Sequence, residues 1–187
     1  RLAETGADVA VKILRPGIER AFRRDVDAFY LAASIIEGLS PSSRRLRPSE
    51  VIKHFEGVVN AELDLRLEAA SASEFSANTQ DDPGFRLPAI NWMYSTRRVM
   101  TMDWAEGVPL GDNDALDAAG LNRAVLGERV LTLFLNHALR DGFFHGDMHQ
   151  GNLKVSLDGD IIAYDFGIMG HIDEYTRRVY AEILYGF

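Results

Sequence analysis

Cysteine is absent from the 187 residues, so the chain has no disulfide framework and no thiolate metal site. That absence fits a reducing compartment. Long apolar runs are missing too. Nothing approaches the roughly 20 residues that span a bilayer, and a stretch such as Val130 to Leu135 is far too short. Positive charge is in deficit, with 20 Lys and Arg against 28 Asp and Glu, a net charge of −8. An acidic surface of this kind repels a phosphate backbone, which argues against general nucleic-acid binding. There is no internal repeat, no low-complexity tract and no signal-peptide pattern. The chain opens without Met and its last stretch, RRVYAEILYGF, stops inside an apolar-periodic segment, so the expectation is an excerpt cut at both ends from a longer protein. What is present, 47% hydrophobic and 26% charged residues, is the balance of a soluble globular protein. The length suits one ordinary domain or two small lobes.

The β-branched run Ala7 to Leu14, bounded by Gly6 and Pro16-Gly17, reads as a strand. Helical periodicity covers Ile18 to Leu39 and ends at Gly38 and Pro41. The connector Ser42 to Pro48 is basic; its arginines could meet a phosphate, but a solvated loop is the better reading. One long helix is expected from Ser49 to about Asn78, with Val51, Phe55, Val58, Val59 and Phe75 among its apolar positions and the turn residues Gln80 to Gly84 closing it. Strands follow near Leu87 to Met93 and Arg97 to Trp104, then a polar linker between lobes, Glu106 to Asp114. Leu116 to Arg140 reads as a strongly apolar helix with Val125, Val130, Leu133, Phe134 and Leu139 toward the core. Two apolar runs flank Asp158-Gly159-Asp160, a hairpin signal. Asp173 to Phe187 closes the chain as a helix.

The chemistry concentrates in FFHGDMHQGNLKV, residues 143–155. His145 and His149 are four apart, yet the pattern lacks the glutamate of a zinc-protease helix, and Gly146 and Gly151 argue against a helix that would align both imidazoles. Loop hydrogen bonding is the better role for His149. Phosphoryl transfer needs a cation on the phosphates, a chelated Mg²⁺, a carboxylate near the nucleophile and a frame that holds them in line. Asp147 and Asn152 fit H-x-D-x-x-x-x-N, in which the Asp faces the attacking group and the Asn ligates metal. Eighteen residues after Asp147 stands Asp165-Phe166-Gly167, where a carboxylate suits Mg²⁺ and the glycine lets the chain turn away. Lys12 ends V-A-V-K on an early strand, matching the V-A-I-K pattern that pairs with phosphates. Each motif is short; their order and spacing together are specific. A helix glutamate must orient that lysine, and Glu62, Asp64 and Glu68 are the candidates. Asp64 and Glu68 are expected on one helix face, and Glu62 could instead pair with Arg66. The small residues Ala69, Ala70 and Ala72 allow close approach of another element and favour Glu68.

With VAVKILRPGIE, ELDLRLEAASAS, FFHGDMHQGNLKV and DFGIMG, the chain resembles the UbiB-type atypical kinases, a bacterial and organellar family linked to ubiquinone biosynthesis, from Val9 to Phe187. The resemblance implies a two-lobed, protein-kinase-like α+β fold. Residues 1–105 would form a small β-sheet N-lobe with inserted helices, and residues 106–187 a mostly helical C-lobe. It implies binding of ATP or ADP with Mg²⁺: a Lys12–Glu68 ion pair, Asp147 as catalytic carboxylate, and Asn152 and Asp165 on the metal. Glu62 and Asp64 match the family's E-x-D pair, which in relatives lies over the active site with an inhibitory N-terminal extension. VMTMDWAEGVPL resembles the inter-lobe hinge, with Met102 as gatekeeper and Asp103 and Ala105 offering backbone contacts to adenine. The implied function is a kinase or ATPase supporting ubiquinone biosynthesis, with quinone-precursor lipids and biosynthetic proteins as partners. The full-length protein would sit at the cytoplasmic face of the bacterial inner membrane through segments outside this excerpt.

Departures from the pattern matter. The family's alanine-rich nucleotide loop and K-x-G-Q extension would precede Arg1, and its membrane-spanning helices would follow Phe187. Gly146 stands where most protein kinases carry Arg, and no A-P-E follows Gly167. Both argue against ordinary protein kinase activity. Two other readings share part of the motif set: a small-molecule phosphotransferase of the aminoglycoside or choline kinase kind, and a nucleotide-binding scaffold without turnover.

Overall fold

The computed structural model describes residues 1–39 and 43–186. The expected stop at Pro41, the start of the basic connector at Ser42 and the terminal Phe187 lie outside the described residues.

The first strand, β1 (Val9–Ile13), pairs antiparallel with β3 (Val99–Asp103), setting Lys12 opposite Met100 and Ala10 opposite Met102. Strand alternation turns Val11 and Ile13 to solvent and Ala10 and Lys12 to the other face. Helix α1 (Ile18–Leu39) follows, then a short 3₁₀ turn over Ser43–Leu46 in the basic connector, where Arg45 and Arg47 are exposed.

The single helix expected from Ser49 to Asn78 is in fact two, α2 (Pro48–Glu62) and α3 (Leu65–Thr79). Leu63 and Leu65 are both buried, and residues two apart cannot share one helix face. The chain breaks between them: Asp64 is extended and its carboxylate caps α3 by accepting the Arg66 N–H, while the Leu65 N–H donates to the Arg97 carbonyl. Val51 and Val58 on α2 are exposed, and Phe55 packs its ring near Phe22 and Phe29 of α1. Helix α3 lies on the β1–β3 sheet through Leu65 and Ala69 against Met100 and Met102, and Ala69, with no accessible surface, is the small contact that allows this approach.

The strand expected at Leu87 to Met93 shrinks to β2 (Phe85–Arg86), an isolated bridge at Ile90 and a 3₁₀ turn over Trp92–Tyr94. Pro88, with no N–H to donate, stops the ladder. Strand β2 joins β7 (Ile161–Ala163), β6 (Leu153–Val155) and β4 (Val108–Pro109) in a four-stranded sheet ordered β2-β7-β6-β4. The β6–β7 hairpin turns at Gly159, whose φ of 88° suits glycine.

The helix expected from Leu116 to Arg140 is also divided. Helix α4 (Asn113–Ala118) ends at Gly120, which has a φ of 72°. Asn122 then caps α5 (Arg123–Asn136) by accepting the Ala124 and Val125 N–H groups, and a π-helical turn covers His137–Asp141. Leu126, not Val125, faces the core; Val125 is half exposed, Leu133 is buried, and Val130, Phe134 and Leu139 are partly so. Strands β5 (Phe143–His145) and β8 (Met169–His171) pair antiparallel, and α6 (Glu174–Tyr185) follows, capped by Asp173. One core joins Phe75 and Phe85 to Phe143, Leu153, Ile161 and Phe166, so residues on both sides of position 105 pack together. Among the described residues no helix is long and apolar enough to cross a membrane.

Candidate active site

Three elements far apart in sequence deliver charged groups to one place. Lys12 from β1 puts its Nζ 2.6 Å from Glu68 Oε1 on α3 and 3.3 Å from Asp165 Oδ1, just past β7. The Phe166 N–H reaches Glu68 Oε1 at 3.4 Å and the Gly167 N–H reaches Asp165 Oδ1 at 3.2 Å. The Glu68 side chain is only 9% exposed, and the Lys12 ammonium is its ion-pair partner. Burial works against the charge of Lys12, but the hydrogen bond and charge of Glu68, with Asp165 beside it, outweigh that and raise its pKa. Glu62, at the end of α2, belongs to this group: desolvation and then the charge of Glu68 push its pKa up. It flanks a small cavity of about 190 Å³ that also touches Asp64, Glu68, Phe166 and Gly167. Asp64 is tied to its own helix, with Arg66 Nη2 at 2.6 Å holding its pKa down to about 2. The expected Glu62–Arg66 pair and the shared Asp64–Glu68 helix face both yield to that break at Asp64.

The loop after β5 is organised by hydrogen bonds rather than helix. Asn152 Nδ2 donates to the Asp147 backbone oxygen at 3.1 Å and to Asp147 Oδ2 at 3.0 Å, which directs its amide oxygen away from the aspartate. His149 Nε2 lies 3.3 Å from Asp147 Oδ2, and His149 Nδ1 accepts the Gly151 N–H at 2.9 Å, a loop role. His145 is buried; its Nδ1 accepts the Asp147 N–H at 3.0 Å and its Nε2 donates to the Asp165 carbonyl, so it braces Asp147 against Asp165. Both ring nitrogens are engaged and burial lowers its pKa, leaving a neutral imidazole with no free metal-ligating atom. Among the described residues no three His, Cys, Asp or Glu side chains are grouped to hold a metal by themselves. Asp165 Oδ2 and the Asn152 amide oxygen are nevertheless hard oxygen donors of the kind Mg²⁺ takes alongside phosphate oxygens and water, so the residues present fit that ion.

Gly146 has a packing reason beyond any missing arginine. A Cβ there would sit 2.9 Å from Ile168 Cγ2 and 3.2 Å from its carbonyl oxygen. Met102 is buried on β3, and Asp103 to Val108 lead from β3 to β4. One residue that motif reading passed over is Lys154. Its neighbours Leu153 and Val155 are fully buried, and alternation carries Lys154 to the other face. There its Nζ donates to the Ala105 carbonyl at 2.9 Å and stands 4.6 Å from the Trp104 ring centroid. Strand alternation was the signal available in the sequence; the carbonyl partner was not.

Comparison with known proteins bears on the same features. The model of the ABC1 atypical kinase-like domain matches residues 1–187. A probable protein kinase UbiB from Marinobacter nauticus is 39% identical over 186 residues, 97% of this chain and 34% of the relative. A probable protein kinase UbiB from Klebsiella pneumoniae is 36% identical over 191 residues, 100% of this chain and 35% of the relative. The chain thus spans about a third of the length of these curated relatives. Among solved structures, the erythromycin complex of Rv3197 from Mycobacterium tuberculosis superposes with a TM-score of 0.74 at 29% identity, covering 90% of this chain and 41% of that one. With its mixed kinase-like fold and these matches, the chain belongs to the ABC1 atypical kinase-like family, among relatives of the UbiB type.

Proposed function

We propose that this chain is the Mg-nucleotide-handling part of an atypical kinase or ATPase that supports ubiquinone biosynthesis. The observation that carries it is Lys12 Nζ within hydrogen-bonding distance of both Glu68 and Asp165, residues 56 and 153 positions away in sequence. Lys12, held by Glu68, contacts the nucleotide phosphates. Asp147, its carboxylate oriented by Asn152 and its N–H by His145, accepts the proton of the attacking hydroxyl or water. Asp165 and Asn152 would hold Mg²⁺, which when bound screens the charge developing on the transferred phosphoryl group. Met102 lines the base end of the cleft, the backbone of Asp103 and Ala105 faces adenine, and Glu62 and Asp64 border the phosphate end. Ordinary protein kinase activity is not part of this proposal, because Gly146 leaves no arginine for a phosphorylation switch. Quinone-precursor lipids and biosynthetic proteins are the proposed partners. The proposed location is the cytoplasmic face of the bacterial inner membrane, reached through parts of the protein outside this chain.

The test is Mg-dependent phosphate release by the full-length protein and its Asp165→Asn and Asp147→Asn variants. Asp165→Asn is expected to lose turnover and weaken Mg-nucleotide binding; Asp147→Asn is expected to lose turnover while binding persists. Equal rates in wild type and Asp165→Asn would sink the metal assignment.

A further inference from the structure

A second cavity, of about 750 Å³, lies beside the candidate active site and is much larger than the 190 Å³ one next to Glu62. Among the described residues, none of Lys12, Glu68, Asp147, Asn152 or Asp165 lines it, and it meets the proposed nucleotide site only along Asp103 and Ala105. Its walls are Asp103–Val108, the segment Arg86–Pro88 at the end of β2, and the turn after β6. Its floor follows from strand alternation. Ile161 and Ala163 point into the core with no exposed surface, so Ile162 between them points the other way, into this cavity. The cavity therefore occupies the side of the four-stranded sheet opposite the core.

The chemistry of the lining is one-sided. Trp104 and Leu157 offer apolar surface at 52% and 79% exposure, above Ile162, while Leu87 and Val108 reach the rim but pack against the core. Asp103, Glu106 and Asp158 are exposed and form no ion pair among the described residues. The cations nearby are already engaged, Arg86 by Asp160 and Lys154 by the Ala105 carbonyl. An apolar floor under unpaired carboxylates complements a ligand that carries positive charge next to aliphatic groups.

We propose that this cavity docks an extended peptide segment of a partner protein that presents Lys or Arg beside an aliphatic side chain. The aliphatic group packs on Trp104, Leu157 and Ile162, and the cation meets Asp158 and Glu106. None of the residues assigned to the phosphates, the metal or the attacking group lines it, so its test reads binding alone. An array of dodecapeptides pairing Arg or Lys with Leu or Val, together with charge-reversed copies carrying Asp or Glu, is probed with the full-length protein. Basic peptides are expected to bind, and the charge-reversed copies not to. Binding should weaken with added salt, because the carboxylates are exposed. The affinity of the best peptide should drop about tenfold in Glu106→Lys/Asp158→Lys. Leu157→Ser, which removes apolar surface from another part of the lining without adding charge, should weaken it as well, with melting temperatures of all variants at the wild-type value. Equal retention of both peptide sets, or unchanged affinity in the double variant, would overturn the proposal. Displacement of the peptide by Mg-ATP would overturn it too, since the cavity would then be part of the nucleotide site.

Discussion

Replacing Glu68 with Gln removes one charge from the centre of the candidate site and little else. The side chain keeps its length and an oxygen for the Phe166 N–H, but the 2.6 Å contact with Lys12 becomes a neutral acceptor. A hydrogen bond to a charged group contributes about 1.5–3 kcal/mol and a neutral one about 1, so the net loss is about 0.5–2 kcal/mol, a factor of roughly 2 to 30. Lys12 is not left without a partner, because Asp165 lies 3.3 Å away. The ammonium is expected to swing toward that carboxylate and occupy an oxygen the proposed metal needs. Glu68→Gln should therefore reduce kcat/KM for Mg-dependent phosphate release by roughly 2- to 30-fold, with only a small change in melting temperature. A second readout is independent of turnover. The raised Lys12 pKa means the pair's stabilisation is present below the ordinary lysine value of 10.5 and is lost as pH rises through the folded value, so wild type should lose stability above that pH. In Glu68→Gln, nitrogen NMR of the lysine side chain should show the Lys12 pKa falling and that alkaline loss shrinking. A variant with wild-type turnover and an unmoved Lys12 pKa would refute the coupling.

His137 and His145 are buried, and burial holds both below the ordinary imidazole pKa of 6.5, so the unfolded chain binds protons that the fold refuses. Stability should fall as pH drops through that value, and melting temperatures that are flat between pH 7.5 and 5.5 would contradict it. Phe75 has no exposed surface and meets the rings of Phe85, His137 and Phe143, so Phe75→Ala should cost about 3–5 kcal/mol in urea unfolding. Gly146→Ala forces a Cβ to 2.9 Å from Ile168 and should destabilise by about 1–3 kcal/mol; adding Ile168→Ala should recover most of it, and no recovery would mean the strain lies elsewhere.

Sequence by itself determined the parts whose signals are local. The β-branched run around Lys12, the Asp158-Gly159-Asp160 turn and the helix ahead of the C-terminus all fold as residue type and period dictate. The spacing of His145, Asp147, Asn152 and Asp165 pointed to phosphoryl transfer, and the segments around Lys12 and Glu62 to Glu68 narrowed the resemblance to one family. Breaks in the helices were not legible, because helical periodicity runs through Leu63-Asp64-Leu65 and through Gly120. What divides them is tertiary: two leucines that must both be buried, and the Arg97 carbonyl waiting for the Leu65 N–H. Motif comparison read Gly146 as the loss of an arginine, whereas packing makes it a contact against Ile168 that no side chain fits. Sequence already favoured Glu68 as the acid that meets Lys12, and the tertiary structure supplies the reason. Glu62, Asp64 and Glu68 were all candidates in one acidic run; capping drew Asp64 onto Arg66, and the burial of Ala69 against the β1–β3 sheet brought the neighbouring Glu68 to the lysine.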